Sequence, residues 1–294
     1  MPLSHLLLAL AVVFVWGTNF VLIRMGLDSF SPFTLAALRY TFSALPWMLL
    51  IKRPATSWRT LATFGVLIGV GQFGLLFWAM RRDISPGLAS LVIQVQVFIT
   101  MAMAAARHGE RLRAWQWPAF ALAVGGLGLV AAHASAGSGV TAFGVLLVVC
   151  GATCWAAGNL VARSAGRIDA LAFMVWSSPF AAVPLWGIAL AEAGPHAVGQ
   201  SLAQAGAVAW GVVAWQAVGN TLFGYGAWNW LLARHPAATV TPAALMVPVF
   251  GMAASAWYLG ESLPGWKLGA AALVLGGLVM NLWAVRRPVR LSAA

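Results

Sequence analysis

GESLPGW, residues 260–266, is the stretch that decides the fold, because the chain carries a close copy of it, GERLRAW, at residues 109–115. The offset of 151 residues between the two copies also places the glycine pair at 125–126 on the pair at 276–277. Two apolar stretches often look alike by chance, but Gly-Glu-x-Leu-x-x-Trp followed at one distance by Gly-Gly is a much rarer coincidence. The chain is therefore predicted to contain two related halves.

The composition indicates that most of the chain lies in lipid. Of its 294 residues, 62% are hydrophobic and 8% are charged, whereas a soluble domain has about 45–50% apolar and about 25% charged residues. A soluble core of this size could not bury so much apolar surface, so we expect the lipid bilayer to be the main solvent. The net charge of +11 does not indicate nucleic acid as a partner, because the 17 Lys and Arg residues are scattered over short connections.

Ten apolar stretches of about 18–25 residues are each long enough to cross a hydrocarbon layer ~30 Å thick. The first has no charged segment before it and no clear cleavage site, so we expect a retained helix and not a signal peptide. None of the connections is large enough to form a soluble domain. The predicted spans are residues 5–24, 33–51, 61–80, 87–106, 115–132, 140–161, 171–191, 208–232, 237–258 and 266–285.

Each predicted half, residues 1–134 and residues 135–294, contains five of these spans. Because five is odd, the second half must enter the membrane from the side opposite to the first. Inverted repeats of this kind are typical of secondary transporters, whose substrate site lies near the midplane between the repeats. The predicted fold is an all-α integral membrane protein, with ten transmembrane helices arranged as two inverted five-helix repeats around a central cavity.

The basic residues predict the orientation of the spans. With the N-terminus inside, 12 Lys and Arg residues fall on the cytoplasmic side and 5 on the outer side. An excess of positive charge marks the cytoplasmic connections of a membrane protein, so both termini are predicted to be cytoplasmic.

Four features of the chain resemble the drug/metabolite transporter superfamily, in its EamA branch of ten-helix transporters. They are WGTNFVLIR at residues 16–24, Arg39 in LAALRY, PVF at residues 248–250, and the two Gly-Glu-x-Leu-x-x-Trp segments. The resemblance implies export of amino acids, other metabolites or drugs across the bacterial cytoplasmic (inner) membrane. The aromatic and sulfur-containing amino-acid exporters are the most similar in size and pattern. The first half departs from the pattern, since Gln96 stands where Pro248 stands in the second half, with Gln94 two residues before it.

Polar side chains inside the predicted spans are the first candidates for a substrate site, because burying them in lipid is costly. Gln72, Gln96 and Asn220 all fall near the centres of their spans, which indicates a hydrated cavity. Gln94 and Gln96 are about 200° apart on a helix, so we do not expect both to face that cavity squarely. For each amide, bonding between helices is the alternative. The candidate substrate-binding residues are Trp16, Asn19, Arg39, Tyr40, Gln72, Trp78, Gln94, Gln96, Phe98, Trp155, Asn159, Asn220, Tyr225 and Pro248.

Three kinds of candidate keep alternatives open. Arg39 could pair with a substrate carboxylate, extend toward the outer surface or pair with Asp28. Pro248 could free a backbone carbonyl for a substrate ammonium group, act as a hinge, or only kink its helix. The aromatic candidates could stack on a substrate, pack against other helices or face lipid.

The missing chemistry argues against an enzyme and against a proton pump. All six carboxylates lie in connections or at span ends, and no histidine lies at mid-membrane, whereas proton-coupled pumps carry such groups within their spans. We therefore expect a facilitator or an exchanger driven by the substrate gradient, or a transporter with unconventional coupling. No ATP-binding loop is present, the amide and hydroxyl groups are poor acids and bases, and Cys150 and Cys154 are too few for a metal site, so no cofactor is expected.

The recurring glutamates and the small-residue runs can each be explained by a structural role. Glu110 and Glu261 recur in the two heptapeptides and are expected to sit at the N-terminus of the following helix or to pair with a nearby arginine. The small-residue runs of the fifth and tenth spans could pack on each other or on a second copy of the chain, so a homodimer stays open. A broad drug exporter, which predicts an acidic group in the cavity, and a channel are the rival functions.

Overall fold

The computed structural model describes residues 1–108, 114, 116–135, 139–166 and 168–286. The GERLRAW copy, apart from Ala114, lies outside the described residues, and so do Glu110 and Arg167. Within the described ranges the chain is helical and forms no β-strand, only isolated bridges of Val140 with Ile84 and with Ser135. The expectation of an all-α protein is confirmed for this part of the chain.

The helical segments are numbered here in chain order, and a segment may contain tighter or wider turns. Between α2 and α3 lies a short 3₁₀ turn, Trp47–Leu49, and between α8 and α9 a single helical turn, Ala237–Val240. The segments are α1 Leu3–Gly26, α2 Pro32–Ala44, α3 Trp58–Arg82, α4 Pro86–Ala106, α5 Gln116–Ala132, α6 Ala142–Ser164, α7 Ala170–Gln204, α8 residues 207–234, α9 Thr241–Leu259 and α10 Gly265–Arg286.

Seven helices in the described ranges are long and apolar enough to cross a membrane, not the ten expected from the sequence. They are α1, α3, α4, α6, α7, α9 and α10, and each overlaps a predicted span. The shortfall comes from the other three segments. Helix α2 has 13 residues, α5 has 17, and α8 is not among the seven.

Helix α2 begins and ends for local reasons. The side chain of Ser31 accepts a hydrogen bond from the backbone N–H of Thr34, and Pro32 occupies the first turn, where its missing N–H costs nothing. The helix ends at Ala44 because Leu45 precedes Pro46 and is driven into the extended conformation. The predicted second span, residues 33–51, is therefore helical over only its first part.

Helix α7 is longer than the predicted span over residues 171–191 and consists of two helices joined at a kink. The side chain of Asp169 accepts a hydrogen bond from the N–H of Ala172 and caps its start. The kink lies at Gly194, whose φ of 78° and ψ of 154° suit glycine and few other residues. Pro195 follows directly, so the second helix starts at a residue whose N–H is not needed.

Irregular turns occur at matching places in the third and eighth segments, and at different places in the fourth and ninth. Nine-residue π-helical turns interrupt α3 at Val66–Gly74 and α8 at Trp215–Phe223. Short 3₁₀ turns occur in α4 at Ile93–Val95 and in α9 at Thr241–Leu245. Such turns inside helices are frequent at functional sites, because they redirect side chains and free backbone groups.

Helices of the two predicted halves pack against each other. Helix α1 lies against α9, α2 against α7, and α5 against α10, while α6 lies against α3 and α4. The α1–α9 contact is close at Gly17, where a Cβ atom would come within 2.6 Å of Phe250 Cβ. In the α5–α10 contact, a Cβ on Gly126 would come within 2.7 Å of Val274 Cγ2. The small-residue runs of α5 and α10 thus pack on each other, which is one of the two alternatives that the sequence left open.

Candidate functional site

A cavity of about 510 Å³ lies between the two predicted halves and is lined by α1, α3, α4, α6, α8, α9 and α10. On α9 and α10 its lining residues lie in the first turns of α9 and the last turns of α10. The cavity therefore extends toward the end of the bundle where α9 begins. Nine of the fourteen candidate residues line it: Trp16, Asn19, Gln72, Gln94, Gln96, Trp155, Asn159, Asn220 and Tyr225.

The other five candidates lie elsewhere. Arg39 and Tyr40 are buried on α2 behind the cavity wall. Trp78 is 39% exposed and packs edge-on against Phe143; it does not line the cavity, although Leu76, two residues before it, does. Phe98 is buried against Phe120, and Pro248 is buried one residue beyond the cavity-lining Val247.

Gln94 and Gln96 both line the cavity, contrary to the expectation for a regular helix. The 3₁₀ turn at Ile93–Val95 rotates by about 120° per residue, where an α-helix rotates by about 100°. Over two residues the rotation is then about 240° instead of about 200°. Measured the shorter way around the helix axis, the two side chains are about 120° apart instead of about 160°. Both can therefore reach one wide cavity.

Amides supply most of the polar groups of the cavity. Asn159 Nδ2 donates a hydrogen bond to Gln96 Oε1 across 3.1 Å, which joins α6 to α4. The Oε1 atom of Gln72 is buried and has no hydrogen-bond partner in the described part of the chain. A buried acceptor without a partner is costly, so Gln72 is an unsatisfied polar side chain in the cavity wall.

Aromatic side chains form the wall between α1 and α8. The indole N–H of Trp16 donates to the backbone carbonyl of Asn220 across 3.2 Å, in the π-helical turn of α8. The Trp16 ring centre lies 5.7 Å from that of Tyr225 and 5.2 Å from that of Trp228. A Cβ on Gly224 would come within 2.3 Å of Trp16 Nε1, so a glycine is needed for this approach.

Arg39 is linked to the cavity through two intermediate groups. Its Nη1 donates to Gln216 Oε1 across 3.1 Å, and Gln216 Nε2 donates to Asn19 Oδ1 across 2.7 Å. Its Cζ atom lies 3.7 Å from the ring centre of Phe73, a cavity-lining residue. Arg39 is 1% exposed and Asp28 pairs with Arg24, so neither extension to the surface nor pairing with Asp28 is observed.

Three cavity-lining residues with polar side-chain atoms were not among the candidates: Trp228, Thr241 and Asn281. Asn281 is buried, and its Oδ1 accepts a hydrogen bond from Gln116 Nε2 across 3.3 Å. Its signal was present in the sequence, as an asparagine within the apolar run LVMNLW, residues 278–283. Thr241 belongs to the 3₁₀ turn of α9, and such a turn has no clear sequence signal.

Glu261 lies at the opposite end of the bundle, between α9 and α10, in a buried polar cluster. Lys267 Nζ donates to its Oε1 across 2.8 Å, and the backbone N–H of Gly87 donates to its Oε2 across 3.0 Å. The hydroxyls of Ser85 and Ser255 also donate to it. Glu261 thus sits at the start of a helix, as expected, but of α4 and not of α10, and its partner is a lysine.

The electrostatics of this cluster favour the charged form of Glu261. Burial alone raises the pKa of its carboxyl. The hydrogen bonds from Lys267, Ser255 and Ser85, together with the charge of Lys267, lower the pKa by more than burial raises it, so the pKa lies below its ordinary value. The cluster joins the start of α4 to the connection between α9 and α10.

The cavity can bind but carries little that could catalyse. Its lining includes amides, aromatic rings and aliphatic side chains, and no Asp, Glu or His is found among the described lining residues. In the ranges that the structure describes, no three His, Cys, Asp or Glu side chains come together as a metal site would need.

Comparison with known proteins gives a family match over most of the chain. The model described as "EamA-like transporter family" matches residues 3–132 and again residues 142–283. A solved crystal structure with a TM-score of 0.65 is similar to this chain over 99% of both chains, at 19% sequence identity. That likeness supports the fold.

Relatives of known name are similar along almost their whole length. A "Probable amino-acid metabolite efflux pump" of Salmonella typhimurium is 36% identical over 291 residues, 97% of each chain. A protein of the same name from Escherichia coli is 34% identical over 283 residues, 95% of each chain. A "Probable terminal-alkyne amino-acid exporter" of Streptantibioticus cattleyicolor is 25% identical over 95% of this chain and 94% of its own.

Proposed function

The chain belongs to the EamA-like transporter family, and we propose that its substrate is an amino acid or a similar small amphipathic metabolite, moved outward across the bacterial inner membrane. As a member of this family it is a multi-pass membrane transporter and not an enzyme. The names of its relatives, amino-acid metabolite efflux pump and amino-acid exporter, support the substrate class.

The observation that carries the proposal is the amide- and aromatic-lined cavity between the two sets of helices. Its volume of about 510 Å³ lies within the range of about 300–1,000 Å³ that holds small molecules. Amides can donate to a carboxylate and accept from an ammonium group, while Trp16, Trp155 and Tyr225 offer apolar surface to a side chain. An aromatic amino acid is the subclass that these rings suit best.

We assign substrate contact to the nine candidates that line the cavity, and add Trp228 and Asn281. Arg39 and Tyr40 act from behind the wall, and Pro248 and Phe98 shape the helices that carry the lining residues. Trp78 has no place in the site, because its ring packs against Phe143 away from the cavity.

The ten-span inverted repeat, with halves at residues 1–134 and 135–294, is part of the proposal. The nine-residue π-helical turns of α3 and α8 support it, because each begins eight residues after the first residue of its segment. Cross-half packing of α1 on α9 and α5 on α10 also supports it. Since the small-residue runs are occupied within the chain, a homodimer through them is not included.

Transport by alternating access follows from this arrangement. With both termini cytoplasmic, the start of α9 and the end of α10 face inward, so the cavity extends toward the cytoplasm. The Glu261–Lys267 cluster then closes the outer end of the bundle. Release of substrate to the outside requires that this closure opens, with the two repeats rocking about the cavity.

Transport is tested with the purified protein in liposomes that contain one unlabelled amino acid, by counterflow of the labelled one, for all twenty. We expect exchange of at least one aromatic or other amphipathic amino acid. A pH gradient is applied in a parallel assay and is expected not to be required, because the cavity lining contains no described acidic or histidine side chain. Failure of all twenty to exchange would refute the substrate class.

The matched variants are Asn19→Ala and Gln96→Ala on one side and Trp257→Ala on the other. The first two change cavity-lining residues, while Trp257 is 88% exposed on α9. We expect slower exchange for the first two and wild-type exchange for the third, all with normal membrane insertion. Normal exchange by both cavity variants would show that the cavity is not the substrate site.

A further inference from the structure

Arg39 is a buried cation whose charge is not neutralised by any carboxylate in the described part of the chain. The ion pairs found there join Arg24 to Asp28 and Lys267 to Glu261. Arg39 instead donates to two neutral acceptors, Gln216 Oε1 and, at 3.5 Å, Thr221 Oγ1, and its Nε atom has no partner. Buried charges are almost always paired, so this cation is unusual.

The charge of Arg39 acts on one end of the cavity. Phe73 contacts the guanidinium and also lines the cavity: its ring centre lies 3.7 Å from Arg39 Cζ. In a surrounding of low polarity a charge acts over a longer distance than in water. The wall of α1, α2, α3 and α8 at this point is therefore electropositive.

A chain of two hydrogen bonds extends the influence of the Arg39 charge to the surface of the cavity. Arg39 donates to the Gln216 carbonyl oxygen, which makes the Gln216 amide nitrogen a stronger donor, and that nitrogen donates to Asn19 Oδ1 across 2.7 Å. With its oxygen occupied, Asn19 has its Nδ2 donor left for the cavity that it lines. The relay thus ends on the Asn19 amide N–H group, which can donate to a bound acceptor.

We propose that Arg39 is a positioning residue that sets substrate specificity through Gln216 and Asn19, by holding the substrate carboxylate at the Asn19–Phe73 end of the cavity. This inference rests on the proposed function. The cationic field and the Asn19 donor both favour an anionic acceptor there. A carboxylate bound at this end supplies the counter-charge that Arg39 lacks, and the ammonium group and side chain of the substrate then point toward the amides and aromatic rings beyond.

The test compares inhibitors that differ only in the carboxylate. Counterflow of labelled L-phenylalanine is inhibited by L-phenylalanine, by L-phenylalaninamide and by phenethylamine, at a pH that keeps every amine protonated. For the wild type we expect the amino acid to inhibit at least about tenfold more strongly than either analogue, as expected for a hydrogen bond to a charged group. If another of the twenty amino acids exchanges instead, its own amide and amine are used.

The variants separate specificity from stability. In Arg39→Gln the preference for the carboxylate is expected to fall to about twofold or less, whereas Arg39→Lys, which keeps the charge, retains most of it. Asn19→Ala, which removes the last donor of the relay but leaves Arg39 in place, is expected to lower the preference as well. Arg24→Gln, which changes an exposed arginine on α1, is the control and keeps the wild-type ratio.

A purely structural role for Arg39 would lower exchange of all compounds alike and leave their ratio unchanged. If Arg39→Gln does not fold, Asn19→Ala decides the matter. An unchanged ratio in Asn19→Ala and, where it folds, in Arg39→Gln overturns the inference, as does a wild type that exchanges an amino acid without preferring its carboxylate. In both cases the proposed function stands, whereas absence of exchange by all twenty amino acids removes both.

Discussion

Lys267 Nζ lies 2.8 Å from Glu261 Oε1, and the two side chains are 3% and 8% exposed. This buried ion pair joins the start of α10 to the connection before it, and Glu261 continues the link to the N–H of Gly87 at the start of α4. Three helices are thereby held together at the end of the bundle opposite the cavity. Because a buried pair is strongly destabilised by loss of one partner, it offers sharp tests.

Lys267→Met is expected to lower the free energy of unfolding by about 3–5 kcal/mol, because it leaves the Glu261 carboxylate buried without its cation. Thermal melting of the purified protein in detergent measures the loss. The double variant Lys267→Met with Glu261→Gln should recover part of it. Arg24→Gln, which breaks a more exposed pair, should cost about 1 kcal/mol or less, and an equal loss in both single variants would contradict the importance of burial.

The Glu261 cluster should also make stability depend on pH in the acid range. The folded pKa of Glu261 lies below its ordinary value of 4.5, so its contribution is fully present above about that pH. It is lost as the pH falls through the lower, folded value, where the carboxylate becomes protonated. Melting temperatures of the wild type and Glu261→Gln are expected to converge in that acid range. Curves that stay parallel would show that Glu261 is not held in its charged form.

Gly17→Ala should disturb the contact between α1 and α9. The new Cβ would lie 2.6 Å from Phe250 Cβ and 2.7 Å from the Val247 carbonyl oxygen, so the helices must move apart, at a cost of about 1–3 kcal/mol. The control is Gly128→Ala on α5, where nothing lies within 4 Å of the added atom, and where alanine favours the helix by about 1 kcal/mol. Equal melting temperatures for the two variants would contradict the close contact.

Gln72→Met is expected to separate folding from transport. The Gln72 Oε1 atom is buried without a partner, so its replacement by an apolar side chain should leave stability unchanged or slightly raised. Exchange of the substrate should fall by about two- to tenfold, as expected for one lost hydrogen bond. The control is Thr153→Val, on the exposed side of α6, which removes a hydroxyl that bonds to its own helix. This variant should change neither stability nor substrate exchange. Unaltered transport by Gln72→Met would remove Gln72 from the site.

Local signals were enough to predict much of the fold. Seven helices overlap predicted spans because length and apolar content alone decide whether a helix can cross lipid. The predicted bounds differ from the observed ones where a local turn ends a helix or kinks it. Pro46 ends α2 early because it forces Leu45 into the extended conformation. In α7, Gly194 forms a kink and Pro195 starts a second helix, which carries the segment past residue 191.

The candidate site was predictable by residue type and less so by position. Asn19, Gln72 and Gln96 were singled out because polar groups are rare within apolar spans, and they do line the cavity. The sequence does not distinguish Trp78 from Trp16 as a candidate for the site. In the structure, Trp78 packs against Phe143, whereas Trp16 lies against Tyr225. Which way a tryptophan points depends on the rotation of its helix, and aromatic residues are common on both lipid and cavity faces.

The sequence by itself determined that this protein lies in a membrane and where most of its helices run, and it predicts that the two halves are related. These properties depend on hydrophobicity, length and repetition, which are properties of the chain alone. Only the tertiary structure decided that Gln216 connects Arg39 to Asn19 by hydrogen bonds, that Gln94 and Gln96 share one cavity, and that Glu261 joins α10 to the start of α4. The reason is that each depends on helix rotation, on irregular turns and on contacts between residues far apart in the chain, all of which are set by packing.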